Sequence, residues 1–455
     1  MPSISRISLF CCLILLIVSC QTNSGTFRNI DYSINQGEFD RGVDSIIWGQ
    51  QASPPLYPAR NAVSLHLDLG LLKHYAGRYN DSSWDLQEAE RLIAEAFTRS
   101  ISGEMTSYIL NDNVKEYPGE DYEDIYINIF NALNYYHNND LEGAMVEIRK
   151  LTLSSGKLDM LSRKYEGSRL SVGNWVLAQL RLIGIEVNPN MPRGNPVNFS
   201  DSVLARYLGG LFYLGQGNMD SARIEFERIP AAFASNPRVY SNPIPRAVSD
   251  AQNVPQGMAR LNVIAFTGLS PVKTEGRFDT FFPFFNNFPL HFVQLRLPIL
   301  ERRPSRINRL EVIVNGDIDG NRFELELLED MGAVIEETFN ARFGNMFLKT
   351  YVRVLLKYAA ADIAATELEN RHHPITAFMS ALTARLGIAA TEAADIRMSR
   401  FLPNKAYIGG INLEPGTYSV IINYYNGPRL IAGDEQRDII VRANQLNLIQ
   451  GVSLR

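Results

Sequence analysis

Cysteine is almost missing from this chain. Only Cys11, Cys12 and Cys20 carry a thiol among 455 residues, and none follows residue 20. A disulfide framework or thiolate metal site therefore cannot organise the remainder, and stability has to come from core burial. Long apolar runs are lacking as well: past residue 20 no stretch reaches 18 consecutive apolar residues, so the body is expected to be soluble. Positive charge is not in excess. The 44 Lys and Arg residues face 49 Asp and Glu, a formal charge of −5, which argues against nucleic acid or an anionic membrane surface as the main partner. No Walker loop, G-x-G-x-x-G or H-E-x-x-H occurs, and Ser270 in "GLSPV" lacks the glycine of a nucleophile elbow.

What the first 20 residues do contain is a secretory layout. Arg6 and the amino terminus make a small positive region, and Ile7 to Val18 form a short apolar stretch of about 12 residues, too short for a hydrocarbon core. Ile17-Val18-Ser19-Cys20 resembles the lipobox of bacterial lipoproteins. The resemblance implies cleavage after Ser19 and a diacylglycerol thioether on Cys20, so that residues 1–19 are a signal peptide and 20–29 a lipidated tether. Cys11 and Cys12 would leave with the signal. An uncleaved signal anchor is the competing reading. An outer-membrane anchor facing the periplasm is the expectation; Gln21 is not the aspartate that retains some lipoproteins at the inner membrane, but that rule varies among bacteria and does not decide between the two membranes.

Residues 30–232 read as α-helical repeats. "ALNYYHNNDLEGAMVEI" (132–148) aligns without gaps on "GLFYLGQGNMDSARIEF" (210–226). Both place a small residue (Ala132, Gly210) before an alanine (Ala144, Ala222), with a large apolar residue (Ile148, Phe226) one turn later. These are tetratricopeptide spacings, in which the small residues let paired helices approach and the large one fills the groove between units. "NQGEFDRGV" (35–43) and "DLGLLKHYAGRY" (68–79), followed by "SSWDLQEAERLIAEAF" (82–97), supply further units; an irregular helical bundle is the alternative. The acidic cluster Glu116, Glu120, Asp121, Glu123 and Asp124 fits a helix amino terminus, where carboxylates complement the macrodipole.

A proline-rich stretch, 233–258, reads as a linker. After it the pattern turns to strands, with "RLNVIAFTG", "LHFVQLRLPIL" and "RLEVIVNG", then helical blocks near 325–343, 346–369 and 375–388. Strands return in "AYIGGINL", "GTYSVIINYY" and "RDIIVRANQLNLI". The expected fold is thus a multidomain chain, an α-helical TPR-like solenoid followed by an α+β domain (259–455) with a β-sandwich-like sheet and inserted helices. "GEDYEDIYINIFNALNYYHNNDLEGAMVEIRK", "GLSPVKTE", "LPILERRPSRI", "LEDMGAVIEETFNARF" and "AADIRMSRFLPNKAYIGGINLEPGTYSV" follow in order. Together they resemble a family of uncharacterised bacterial envelope lipoproteins over most of 25–425. This chain departs from the family pattern at Ile396, Met398 and the aromatic run 278–288. The resemblance implies no established activity. Its members are often encoded near lipoproteins similar to penicillin-binding-protein activators and curli-secretion components, which implies a place in envelope assembly.

Several local patterns compete for chemistry. In "NGDIDGNRFELE", Asn315, Asp317, Asp319, Gly320 and Glu326 fall at calcium-loop positions, and oxygen ligands at that spacing wrap one hard cation. Asn at position 1, Arg322 at position 8 and a preceding strand favour a plain polar turn instead. Adjacent His372 and His373 before Pro374 cannot easily face one ion. The run "RFDTFFPFFNNFPLHF" is either core or an exposed contact patch, and "ERRPSRINR" (301–309) is either a solvated connection or a docking site for carboxylates. The leading expectation is a non-enzymatic, lipid-anchored scaffold without a cofactor, binding envelope proteins through its repeat groove. The rivals are an envelope enzyme acting on cell-wall polymer at the domain joint, with Glu88, Glu123 or Asp395 as candidates, and a calcium-stabilised adhesion module.

Overall fold

Four helical hairpins open the chain, and the same backbone device closes each of them. A computed structural model describes residues 25–100, 113, 115–153, 156–158, 160, 199, 201–282, 291–315, 321–369 and 393–455. Helix α1 (25–35) pairs with α2 (Phe39–Gln50), and α3 (Ala62–Tyr75) pairs with α4 (Tyr79–Ser100). Likewise α5 (Asp121–His137) pairs with α6 (Leu141–Thr152), and α7 (Val203–Gly215) with α8 (Met219–Ser235). Three residues make each turn, and the middle one has positive φ: Gly37, Gly77, Asn139 and Gly217. The next N–H returns to a carbonyl one turn back, as from Arg78 to Lys73 and from Asn218 to Tyr213, which satisfies orphan groups of the ending helix. Asp140 and Asn218 then cap α6 and α8, accepting from the N–H groups of Gly143 and Ser221.

Small residues set the spacing inside the hairpins. A Cβ on Gly210 would lie 2.6 Å from the Phe226 ring, and one on Gly70 would lie 2.7 Å from Leu86. Ala132, Ala144, Ile148, Ala222 and Phe226 are all buried in the same core.

The hairpins nevertheless do not form the TPR-like solenoid expected from the spacing. Among the described residues their inner side is packed against a sheet rather than left as a groove. Phe130 of α5 packs on Phe266 at 5.1 Å between ring centroids, and one apolar cluster contains helix residues together with Ile264, Phe266, Leu328, Ile408 and Leu448. Local spacing is set by helix-to-helix approach, which many helical folds share; it does not say what covers the far side.

The β-sandwich expectation is also corrected. The strands are β1 (Ala259–Leu269), β2 (Val272–Phe282), β3 (His291–Glu301), β4 (Arg309–Val314), β5 (Arg322–Asp330), β6 (Pro403–Leu413), β7 (Gly416–Asn426), β8 (Arg429–Val441) and β9 (Asn447–Ser453). Seven of them form one mixed sheet in the order β8-β7-β4-β5-β6-β1-β9, which curls until its two edges nearly meet, and β2–β3 stands as a separate hairpin. All neighbours in the large sheet are antiparallel except β1 and β9. The curled sheet encloses its own core of Leu261, Val263, Leu310, Val312, Leu325, Val420, Ile422 and Tyr424. Strand β1 is buried along its whole length, and period two divides it: Leu261, Val263 and Ala265 face the enclosed core, Ile264 and Phe266 the helices.

Boundaries shifted where pairing outweighed helical pattern. The helix expected from 325 begins at Met331, because Glu326 to Asp330 pair with β6; α10 (Met331–Glu369, after the short α9, Arg246–Asp250) then runs on without a break. Asp330 accepts from the Ala333 N–H at 2.9 Å to start it. The expected helix at 375–388 lies outside the described residues. In the proline-rich stretch, Val239, Tyr240, Ala247 and Val248 are buried.

The Gly210–Phe226 contact gives a direct test of the hairpin packing. Gly210→Val should cost about 1–3 kcal/mol through forced repacking, read as a lower urea midpoint with an unchanged m-value.

Candidate functional site

Polar side chains are concentrated where the helices meet the sheet, and three of them are buried carboxylates. In α3, "SLHLDLGLL" places Asp68 within an otherwise apolar run. Its oxygens accept from the Tyr57 hydroxyl at 2.6 Å, the Ser399 hydroxyl at 2.8 Å and the Arg400 N–H at 2.8 Å. From α5, Glu123 accepts from the Tyr117 hydroxyl, the Glu120 N–H and the Ser399 N–H. Two helices thus hold the same Ser399–Arg400 stretch, and Tyr75 adds a bond to the Phe401 carbonyl at 2.9 Å. Glu329 of β5 accepts from the Tyr126, Ser202 and Tyr240 hydroxyls and the Leu204 N–H. Each carboxylate is satisfied mainly by neutral donors, so these groups fasten the two layers together.

A second feature lies where the sheet fails to close. Between the edges of β8 and β9, capped by the α1–α2 and α3–α4 turns, is a cavity of about 470 Å³. Its helical wall includes Phe39, Asp40, His74, Tyr75 and Tyr79; its sheet wall includes Tyr424, Ala432, Asp434, Gln450 and Ser453. Only side chains bridge the edges: Gln436 donates to the Gln450 carbonyl at 2.7 Å, and Arg455 to the Ile431 carbonyl at 2.8 Å. A Cβ on Gly451 would collide with the Tyr424 hydroxyl, so only glycine lets that ring lie against β9.

The electrostatics of the cavity are those of acceptors. Tyr424 is 1% exposed, and its hydroxyl has no hydrogen-bond partner. The Asp434 carboxyl is raised by burial and is held by Gln436 at 3.1 Å. His74 lies 2.6 Å from Asn134 through Nδ1 and 2.8 Å from the Gln450 amide nitrogen through Nε2. Those partners assign the proton to Nδ1 and make Nε2 an acceptor. Burial pulls this imidazole down to about 4, so it is neutral and both nitrogens are engaged. Tyr79 stacks on His137 at 4.6 Å beside it.

The residues singled out from sequence do not assemble here. Glu88 pairs with Arg91 on the surface of α4, Asp395 holds Arg397 at 2.8 Å, and Glu123 is enclosed in the joint. Ser270 is buried, its N–H donating to the Leu402 carbonyl. Of the calcium-loop residues, Asn315 accepts from the Ser419 N–H and Glu326 from the Arg246 N–H, while Asp317, Asp319 and Gly320 lie outside the described residues. Cys20, His372 and His373 also lie outside them. Among the described residues no group of three or more His, Cys, Asp or Glu side chains can hold a metal ion, and no helix is long and apolar enough to cross a membrane. The arginines of 301–309 take separate partners. Arg302 pairs with Glu336, Arg303 donates to the Ser270 and Arg400 carbonyls, and Arg309 lies 4.0 Å from the Tyr425 ring. Phe278, the first aromatic of its run, contacts Phe343 of α10. Of the acidic cluster, Glu120 caps α5 and pairs with Lys273 and Arg342, and Asp124 pairs with Lys157.

Sequence reasoning missed Asp68, Glu329, His74, Tyr424 and Asp434. The one available signal was a charged residue inside an apolar helix, at Asp68. Compared with family models, curated proteins and solved structures, the chain has no match.

The joint makes stability depend on pH. Burial pushes Asp68 up from 3.8 to about 6 and Glu123 up from 4.5 to about 7. Between the unfolded and folded values the native state binds more protons, so these two groups stabilise it as pH falls. His74, lowered from 6.5 to about 4, works in the opposite direction below pH 6.5. The raised carboxyls, Glu329 among them, outnumber the lowered imidazoles of His74 and His137, so the urea midpoint should climb as pH falls from 8 to about 5. Glu123→Gln should flatten the part of that slope between pH 7 and 4.5. A wild-type midpoint that drops steadily over the same range would contradict this account.

Proposed function

We propose that this protein is a lipid-anchored, non-catalytic binding protein of the bacterial cell envelope, serving envelope assembly. It is tethered by Cys20 and holds another envelope component at the open seam between strands β8 and β9. The lipobox Ile17-Val18-Ser19-Cys20 supports the anchor, and the resemblance to envelope lipoproteins supports the compartment. The observation that carries the binding role is the seam cavity, about 470 Å³ with a buried hydroxyl, Tyr424, left without a partner. Pockets of this size, between packed layers and with a few convergent polar groups, are the usual form of a ligand site.

One observation favours a second reading, an envelope enzyme at the joint: two carboxylates, Asp40 and Asp434, line the same cavity. Asp40 is two-thirds exposed and lies 3.6 Å from Arg78, so it lacks the apolar enclosure of a catalytic acid.

Palmitate labelling tests the anchor: Cys20→Ala should abolish incorporation and release the protein from the membrane fraction, and retained label would overturn the lipidation. A photo-crosslinker at the exposed Gly433 of the seam should trap an envelope component in living cells. The same group at the exposed Glu227 of α8 should not. No adduct at Gly433, or identical adducts at both positions, would remove the binding role.

A further inference from the structure

The seam cavity also indicates what kind of group it holds, an inference that rests on the binding role proposed above. Its fixed polar groups are acceptors or lack a partner. Asp434 has no cation partner among the described residues, and its carboxylate accepts a hydrogen bond from Gln436. The Tyr424 hydroxyl stands beside it unpartnered. Asp434 paired with Ile422, and Tyr424 with Ala432, place both side chains on the same face of the β7–β8 pair. The lining cation, Arg455, is turned onto the carbonyls of Ile431 and Gln36. His74 is kept neutral by burial, with both ring nitrogens engaged by amide partners.

The apolar part of the wall combines aromatic rings with Ile34, Val452 and Leu454. Phe39 and Tyr75 line the cavity with ring centroids 5.5 Å apart, and Tyr79 stands at the same mouth. A carboxylate, a free hydroxyl and ring faces are the combination that binds an alkylammonium ion: the charge meets the carboxylate, and the methylenes and residual charge meet the rings. We propose that the seam cavity binds a protonated primary amine, with Asp434 as its counter-ion and Tyr424 as a hydrogen-bond acceptor. A neutral polyol would leave Asp434 without its counter-charge, and an anion would meet two carboxylates.

Calorimetric titration of the full chain tests this with three probes: putrescine, Nα-acetyl-lysine amide and butane-1,4-diol. Putrescine should bind and the diol should not. Asp434→Asn, which keeps shape and removes charge, should weaken putrescine about tenfold or more; Tyr424→Phe should weaken it about threefold. Binding of the lysine amide as tight as putrescine would assign the amine to a side chain of a larger partner, and weaker binding to a free small amine; either supports an ammonium site. Equal binding of diamine and diol, no binding of either amine, or unchanged affinity in both variants would overturn the proposal. Failure here with seam adducts retained in cells leaves the binding role standing and removes only the ligand class; the reverse pattern does the opposite.

Discussion

A carboxylate buried without a cation has to be surrounded by donors, and most of this structure follows from where those donors come from. Asp68 and Glu123 sit on different helices, yet both take hydrogen bonds from Ser399, and Asp68 takes another from Arg400, in the stretch that leads into β6. Glu329 works in the opposite sense: a sheet residue receives the Tyr126 hydroxyl of α5 and the Ser202 and Leu204 groups at the start of α7. Leaving any of these acceptors unpaired would cost about 1–3 kcal/mol or more, so the helical layer cannot slide or lift without exposing several at once. The hairpins are consequently held in one position over the sheet, and the shared apolar cluster fills in around that fixed arrangement.

The local level was legible in the sequence, and the assembly level was not. Small residues opposite large ones, Gly210 against Phe226 for example, reflect contacts within a hairpin and show directly in the spacing. Alternating or continuous apolar runs of strand length located β1, β3, β4, β6 and β7. Strand order is decided by partners far away. β4 lies between β7 and β5, and β9 returns beside β1 in parallel; no residue pattern within any one of them records this. "FELELLED" carried both a strand alternation and a helix-compatible composition, and pairing with β6 decided the outcome.

The candidate site was less legible for the same reason. Its parts are a turn between α1 and α2, a histidine in α3, and the edges of two late strands, and Gln450 meets His74 across most of the chain. Residue types alone carried no hint of that meeting. By contrast, the carboxylates picked from sequence were chosen for acidity and local crowding. Such groups most often find nearby cations or caps, as Glu88 does with Arg91 and Glu120 with Lys273.

The geometry of the seam explains why a site persists there. Gln436 reaches the Gln450 carbonyl and Arg455, two residues past β9, reaches the Ile431 carbonyl, so a step of five residues along β8 matches a step of five in the opposite sense from β9 onward. The two edges therefore run antiparallel in a consistent register, yet no backbone ladder joins them. Side chains span what backbone bonds would otherwise close. Full closure would shut the half-buried Asp434 carboxylate away from water with one amide beside it, next to a Tyr424 hydroxyl that is already buried, a penalty of several kcal/mol. A ladder of two or three net hydrogen bonds at about 1 kcal/mol each does not clearly repay it. The gap is thus the lower-energy solution for this sequence, and it leaves strand edges, a carboxylate and a hydroxyl facing one cavity, where a ligand can satisfy them together.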